Sequence, residues 1–366
     1  MDWLLEVSKG KLYASTYKIH LKILSPTAMI FYKKSVKGGF KMQYFEERDG
    51  KLIFRYNGET VQVEAWGQDS LRVRSRVLGE ISEECSALTE EVAVHDAVIS
   101  IQGEDSAEIT NGRIKAVLYR QGWSNALQIT FYNEKGEVLL QEIPNGGALC
   151  LKARYFRSLA GGSFYLKASF QSNDKEKLYG MGQYQQERMN LKGCNLELAH
   201  RNSQASVPFY VSSLGYGFLW NNPAVGEVHF GTNTTEWEAW STDQLDYWIT
   251  AGERPGDIER NYAEVTGKAP MMPEYGLGFW QCKLRYYNEQ QVLDIASEYK
   301  KRNIPVDVIV IDYYHWPRCG DYRFDEEYFP NPGEMVAKLH EMGIETMVSI
   351  WPQIDWRSEN YEEMKQ

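Results

Sequence analysis

The side chain best placed for chemistry is the carboxylate of Asp312. It follows directly after the apolar run Val306–Ile311, which predicts a short buried strand. In barrel enzymes built on parallel strands, the functional groups gather at the carboxyl ends of those strands. A carboxylate there can accept two hydrogen bonds from neighbouring sugar hydroxyls. The same position also suits a helix cap or a structural ion pair.

Three tryptophans lie at the predicted ends of three successive strands. Trp280 closes a strand predicted over 275–280, Trp316 follows four residues after Asp312, and Trp351 closes a strand predicted over 345–351. Aromatic faces are apolar and suit the C–H faces of a sugar ring, although packing between strand ends and loops explains any single one equally well. Their recurrence predicts that the three converge on one sugar-binding mouth.

Sequence patterns for metal, dinucleotide or nucleotide binding are weak or absent. His315, Cys319 and Asp321 fit no common zinc spacing. Gly180-Met-Gly182 lacks the third glycine and the following helix of a dinucleotide site, and no P-loop occurs. The sequence therefore predicts neither a metal nor a cofactor.

The elements that must position Asp312 begin near residue 269. One helix is predicted from Asn288, as its N-cap, through Arg302, and a second from about Pro332 to Met342, closed by Gly343. Together with the three strands they give a strand–helix alternation with buried strands, the beginning of a parallel sheet. A (β/α)₈ barrel would then have about three of its eight strands here, and the open edge predicts poor stability alone.

The preceding residues, 42–268, have the alternation of a β-sandwich up to about residue 265. Short runs of alternating apolar and polar residues are separated by Gly, Asn and Asp. Examples are Lys51–Tyr56, Thr60–Trp66, Ser70–Val77 and the hairpin predicted over Val207–Trp220.

Residues 1–41 differ from the rest, with eight lysines and two acidic residues. The codons for Lys37-Gly38-Gly39 can contain AAGGAGG, a bacterial ribosome-binding site, at a suitable distance before Met42. We interpret this segment as a non-native leader, or else as an extra N-terminal strand and linker.

Charge and composition limit the partners. The net charge is −10, so phosphate backbones are repelled and nucleic acid is not expected. No apolar stretch could span a bilayer, the N-terminus lacks the basic region of a secretory signal, and the five cysteines show no pairing pattern. These features predict a cytoplasmic protein. A bacterial setting is expected by analogy alone, and a homo-oligomer is one option for the oligomeric state, which is left open.

A series of motifs in fixed order resembles glycoside hydrolase family 31, above all its α-xylosidase branch. The resemblance covers about 42–366. Its motifs are Tyr179-Gly-Met-Gly-Gln-Tyr-Gln-Gln186, Lys192-Gly193, Val207-Pro-Phe-Tyr-Val-Ser-Ser-Leu-Gly-Tyr-Gly217, Gly278-Phe-Trp-Gln-Cys-Lys-Leu-Arg-Tyr286, Ile304-Pro-Val-Asp307, Ile311-Asp-Tyr-Tyr-His-Trp316, Phe324-Asp325, Tyr328-Phe-Pro-Asn-Pro332 and Val348-Ser-Ile-Trp-Pro352.

The resemblance implies a galactose-mutarotase-like β-sandwich ahead of a (β/α)₈ barrel, and a cofactor-free retaining α-glycosidase acting on oligosaccharides. It implies that Asp312 binds hydroxyls in the −1 subsite and that Trp280, Trp316 and Trp351 line that pocket. Gln183 and Asn202, in sandwich loops, match positions that can reach its rim. The α-glucosidase pattern has a second aspartate where Tyr314 stands, which argues against ordinary maltose-type α-glucosides. The resemblance favours α-xylosides, with α-glucosides or α-galactosides as alternative substrates.

The catalytic carboxylates themselves are not expected in this chain. A retaining mechanism needs a nucleophile and an acid/base about 5 Å apart, and the family's nucleophile segment, W-x-D-E-x-E, does not occur. We therefore expect both downstream of Gln366 and this chain alone to be inactive. The alternatives are a non-catalytic carbohydrate-binding protein, a decayed gene product, or an enzyme pairing Asp312 with Asp321 or Asp325.

Overall fold

The computed structural model describes residues 43–366 apart from 90–91, 93–96, 122–125, 147, 149–150 and 314, together with the backbone of 5–8 and 11–14. The chain divides into two compact units, residues 1–268 and 269–366. Most of the segment interpreted as a leader lies outside the described residues. Within it β1 (Leu5–Ser8) pairs antiparallel with β2 (Lys11–Ala14), where the sequence showed little strand alternation.

The first unit contains a large antiparallel sheet of eight strands. The strands predicted near 51–56, 60–66 and 70–77 and the predicted hairpin are all confirmed in it, and the hairpin turns at Gly215, whose φ of 85° favours glycine. From one edge to the other the sheet consists of β14 (Leu178–Gln183), β16 (Ala205–Ser212), β17 (Tyr216–Trp220), β20 (Leu245–Ala251), β6 (Ser70–Val77), β5 (Glu59–Ala65), β4 (Lys51–Tyr56) and β3 (Phe45–Arg48).

Besides the β1–β2 pair, the described residues of this unit also form two antiparallel sheets of five strands. The first consists of β11 (Val138–Gln141), β10 (Ala126–Asn133), β9 (Ile114–Gln121), β8 (Ser106–Asn111) and β7 (Val98–Gln102). The second consists of β12 (Arg154–Ser158), β13 (Phe164–Gln171), β19 (Thr234–Thr242), β18 (Gly226–Phe230) and β15 (Asn195–Leu198).

One core joins the three sheets. Tyr247 of β20 lies 6.2 Å from the ring of Phe131 in one five-stranded sheet and 5.7 Å from Phe170 in the other. Trp237 of β19 is fully buried and stacks 5.5 Å from Trp220 of the large sheet. Because both smaller sheets pack on the same large sheet, the predicted β-sandwich is confirmed.

A helix follows the sandwich where the sequence was interpreted as continuing β structure to about residue 265. Helix α1 (Pro255–Thr266) begins with proline, and Asp257 at its third position accepts a hydrogen bond from the Arg254 main-chain nitrogen. Ile258 and Val265 bury its inner face against Phe209, Leu219 and Trp248 on the outer face of the large sheet. Their spacing is helical, so the signal was present in the sequence.

The second unit contains a three-stranded parallel sheet and the remaining described helices, as predicted for the start of a barrel. None of the helices among the described residues is long and apolar enough to cross a membrane. In chain order the elements are β21 (Trp280–Lys283), α2 (Glu289–Lys301), β22 (Val308–Ile311), α3 (Pro332–Glu341), β23 (Glu345–Val348) and α4 (Tyr361–Met364).

Helices α2 and α3 cover one face of this sheet. Val292 and Ala296 of α2 and Met335 of α3 pack with Ile309 and Ile311 of β22. The predicted caps are confirmed. The Asn288 side chain accepts a hydrogen bond from Gln291 N at 2.9 Å, and Gly343 closes the second helix with φ 68°. The opposite face carries Trp280, Cys282 and Met347, which are exposed.

Two strand boundaries differ from the prediction. Glu274–Leu277 forms a 3₁₀ turn, so β21 begins at Trp280 instead of ending there. The Asp307 carboxylate accepts a hydrogen bond from Phe279 N at 2.8 Å and leaves no room for a side chain at Gly278, where a Cβ would lie 2.2 Å from it. β23 ends at Val348, three residues before Trp351.

Candidate functional site

Asp312 lies directly after β22, at the carboxyl end of the parallel sheet, as predicted. One carboxylate oxygen accepts a hydrogen bond from Tyr313 N at 2.8 Å. Among the described residues the other oxygen has no hydrogen-bond partner, and the residue is partly exposed. The carboxylate can therefore accept hydrogen bonds from a ligand without losing its own support.

Aromatic rings form a wall in the loops that follow β22 and β23. Tyr313 stacks on Trp351 with their centroids 4.8 Å apart and their planes 17° from parallel. Trp316 lies 6.3 Å from Trp351 at 58°. The structure thus brings two of the predicted tryptophans together, although Trp351 lies in the loop after β23. Because Tyr313 covers one face of the Trp351 indole, a ligand that stacks on Trp351 would have to use its other face.

The loops after β22 and β23 are tied to each other. Cys319 Sγ donates to the carbonyl of Gln353 at 3.0 Å, and Asp355 N donates to the carbonyl of Cys319 at 2.9 Å. The buried carboxylate of Asp321 accepts from Glu359 N at 2.9 Å. These contacts hold the loop that carries Trp316 against the loop that carries Trp351.

Two alternatives from the sequence were an enzyme that pairs Asp312 with Asp321 or Asp325, and a metal site at His315, Cys319 and Asp321. Three of these side chains make hydrogen bonds within the loops. Asp321 binds a main-chain nitrogen within its loop pair, Cys319 binds a carbonyl, and Asp325 accepts from Glu327 N at 3.0 Å. Among the described residues no group of three or more His, Cys, Asp or Glu side chains is arranged to hold a metal.

Trp280 does not join this aromatic wall. It pairs in register with Val308, at the start of the strands, whereas Lys283 pairs with Ile311 next to Asp312. The expected convergence of three tryptophans is therefore wrong for Trp280, because the strand begins where it was predicted to end. The residue that follows β21 at the Asp312 end is Leu284, which is exposed.

Cys282 is a neighbour of Asp312 that the sequence did not single out. It pairs with Val310, which shares its sheet face with Asp312 by strand alternation. Desolvation and, after it, the Asp312 charge raise the pKa of the Cys282 thiol. The thiol is accordingly protonated and weakly nucleophilic at neutral pH. Cys282 could have been identified from the sequence only if the pairing register between β21 and β22 had been known.

Gln183 and Asn202 both lie in the first unit and are exposed. Gln183 is the last residue of β14, and Asn202 lies in the turn between the paired residues Arg201 and Gln204. The motif position opposite the second aspartate of α-glucosidases, Tyr314, lies outside the described residues.

Comparison with known families assigns both units. Residues 60–228 match the glycosyl hydrolase 31 N-terminal galactose mutarotase-like domain, and residues 269–366 match the glycosyl hydrolases family 31 TIM-barrel domain.

Individual relatives agree with this assignment. An uncharacterized family 31 glucosidase, ORF2, from Pseudescherichia vulneris is 44% identical over 336 residues, which is 87% of this chain and 62% of the relative. Alpha-xylosidase A from Aspergillus niger is 33% identical, covering 87% of this chain and 45% of the relative. The crystal structure of a GH31 alpha-xylosidase from a soil metagenome complexed with xylose has a TM-score of 0.81 at 48% identity, covering 88% of this chain and 49% of that one.

The chain therefore spans between 45% and 62% of the length of these proteins. The two domain matches occur in the order in which the sandwich and the parallel sheet follow each other here. This chain belongs to glycoside hydrolase family 31, of which it contains the mutarotase-like N-terminal domain and a portion of the TIM-barrel domain.

Proposed function

We propose that the whole protein is a retaining α-glycosidase that removes terminal α-linked sugars, foremost α-xylose, from oligosaccharides. The observation that carries the proposal is the partly exposed Asp312 carboxylate, with one oxygen unpaired among the described residues, at the carboxyl end of a barrel strand. The loops that follow β22 and β23 carry Trp316 and Trp351, whose ring centroids are 6.3 Å apart. A carboxylate next to apolar rings suits a sugar, which has hydroxyl groups at its edge and C–H groups on its faces.

The bond-breaking pair is proposed to lie outside these 366 residues. A retaining mechanism requires two carboxyl groups about 5 Å apart, one as nucleophile and the other as acid/base. The sequence lacks a W-x-D-E-x-E segment. The Asp321 carboxylate accepts a hydrogen bond from Glu359 N in the loop after β23, and the Asp325 carboxylate accepts one from Glu327 N in its own loop. Asp312 is therefore assigned to binding, with this chain supplying part of the sugar site and no catalytic residue.

The preference for α-xylosides is supported by the relatives. Two of the three relatives described above are named α-xylosidases, and one of those was crystallised with xylose. The relative with 44% identity is named a glucosidase, which makes α-glucosides the second candidate. Tyr314 in place of the aspartate of the α-glucosidase pattern argues against maltose-type α-glucosides, and α-galactosides are a third option.

A cytoplasmic bacterial location is also proposed. The described cysteines, Cys85, Cys194, Cys282 and Cys319, are free thiols, as expected in a reducing compartment. Cys150 lies outside the described residues.

The test measures kcat/KM on aryl α-xyloside, α-glucoside and α-galactoside. It uses the full-length protein, which includes the two catalytic carboxyl groups. The wild type should prefer the xyloside. Asp312→Ala should lose roughly 10²–10⁴-fold, because two charge-assisted hydrogen bonds of about 1.5–3 kcal/mol each disappear. Asp325→Asn is the matched control and should stay within about threefold. Sugar binding without hydrolysis would favour the carbohydrate-binding alternative, and neither binding nor hydrolysis would refute the proposal.

A further inference from the structure

His315 lies at the centre of the loop that carries the site and is only 5% exposed. Its ring is 4.7 Å from the ring of Trp316 and 5.1 Å from that of Phe324. Its main-chain carbonyl accepts a hydrogen bond from Asp325 N at 2.7 Å. A polar ring is thus buried between one wall residue and the segment that returns the chain towards α3.

The imidazole also contacts the backbone of Asp312. His315 Nδ1 is 3.2 Å from the Asp312 carbonyl oxygen. A carbonyl oxygen can only accept, so the proton of the neutral ring must be on Nδ1. Burial lowers the pKa of this imidazole, against the opposing effect of the Asp312 hydrogen bond, so the ring is neutral at pH 7.

The hydrogen bond from His315 supports Asp312, whose own side chain has little other support. Its side chain has a single recorded hydrogen bond among the described residues, from the adjacent Tyr313 N, which moves with the same backbone. The direction of the open carboxylate oxygen is therefore set by the main chain at Asp312. Asp312 lies just beyond the end of β22, so the sheet no longer holds its main chain. The His315 ring, which is hydrogen-bonded to the Asp312 carbonyl, packs against the rings of Trp316 and Phe324.

We propose that His315, as the Nδ1-protonated tautomer, is a positioning residue that aims the Asp312 carboxylate at the sugar. The inference rests on the proposed function, since positioning has meaning only if Asp312 binds sugar. It differs from simple core packing because it requires a donor at one ring position. Asparagine can place an amide donor near the position of Nδ1, whereas glutamine places it near Nε2.

The test compares His315→Asn with His315→Gln in the active full-length protein. The asparagine variant should keep kcat/KM within about threefold of wild type, and the glutamine variant should lose roughly tenfold, the effect of one hydrogen bond. In an Asp312→Ala background, His315→Gln should cause no further loss. Equal losses for Asn and Gln, or a further loss without Asp312, would overturn the inference.

A spectroscopic readout is independent of activity. The ¹⁵N shifts of the His315 imidazole in the 366-residue chain should show a protonated Nδ1 and an unprotonated Nε2 at pH 7. The opposite tautomer would overturn the inference whatever the kinetics show. An inactive wild type would instead refute the proposed function, whereas an active wild type that tolerates His315→Gln would refute only the role of His315.

Discussion

The buried ion pair between Arg72 and Asp246 permits a quantitative test of the sandwich. Arg72 is fully buried on the outer face of the large sheet, and its Nε and Nη2 donate to the two Asp246 oxygens at 3.1 and 2.6 Å. Asn221 Nδ2 donates to the same Asp246 Oδ2 at 2.9 Å. Arg72 Nη2 also donates to the carbonyl of Glu84 at 2.6 Å, which fastens the covering loop.

Asp246→Asn would replace one acceptor oxygen with a donor and leave the Arg72 charge buried without compensation. Breaking a buried pair in this way costs about 3–5 kcal/mol. For a unit of this size each kcal/mol lowers Tm by about 2–4 °C, so a fall of roughly 6–20 °C is expected. The measurement is thermal unfolding followed by far-UV circular dichroism. Replacing both partners, as Arg72→Met with Asp246→Leu, should recover part of the loss.

Asp243→Asn is the matched control. Asp243 is 63% exposed and its Oδ2 lies 3.7 Å from Arg76 Nη2, so the same substitution should cost at most about 1 kcal/mol. An Asp246→Asn variant that melts within 2 °C of wild type, on the order of a negligible surface effect, would refute the account of this pair. Equal losses for the two variants would refute it as well.

Two further predictions concern the helices. Hydrogen bonds from Arg254 and then Arg260 hold the pKa of Asp257 at about 2, against an ordinary 3.8, so its contribution to stability should vanish as the pH falls from about 4 towards 2. A carboxyl titration by ¹³C NMR with a midpoint near 3.8 would contradict this. Asn288→Ala removes the cap on Gln291 N and should destabilise the second unit by roughly 1 kcal/mol. Unchanged urea unfolding of that unit would count against the cap.

The parts of the fold that could be predicted were encoded by neighbouring residues. The run before Asp312 alternates little and ends in a carboxylate, which is enough to define a buried strand and the residue at its end. Asn288 caps a helix through its own third neighbour. These interactions join residues that are close in sequence, so they form in the folded protein as the sequence predicts.

The parts that could not be predicted depend on distant residues. β21 starts at Trp280 because Asp307, 28 residues away from Phe279, takes the Phe279 N–H. Arg72 and Arg74 alternate with apolar residues like a solvent-facing row, yet both are fully buried beneath the loop of Ser82 and Glu84. The hydrogen bond between His315 Nδ1 and the Asp312 carbonyl joins residues only three positions apart. It could not be predicted because it depends on the three-dimensional path of the loop.

The most direct test of the central claim is a crystal structure of the full-length protein with xylose bound. The account predicts that adjacent sugar hydroxyls lie within about 2.5–3.0 Å of the Asp312 carboxylate oxygens. It also predicts that the sugar ring contacts Trp316 or the face of Trp351 that Tyr313 leaves open. Xylose bound away from Asp312, or an Asp312 carboxylate turned from the ligand, would contradict the account.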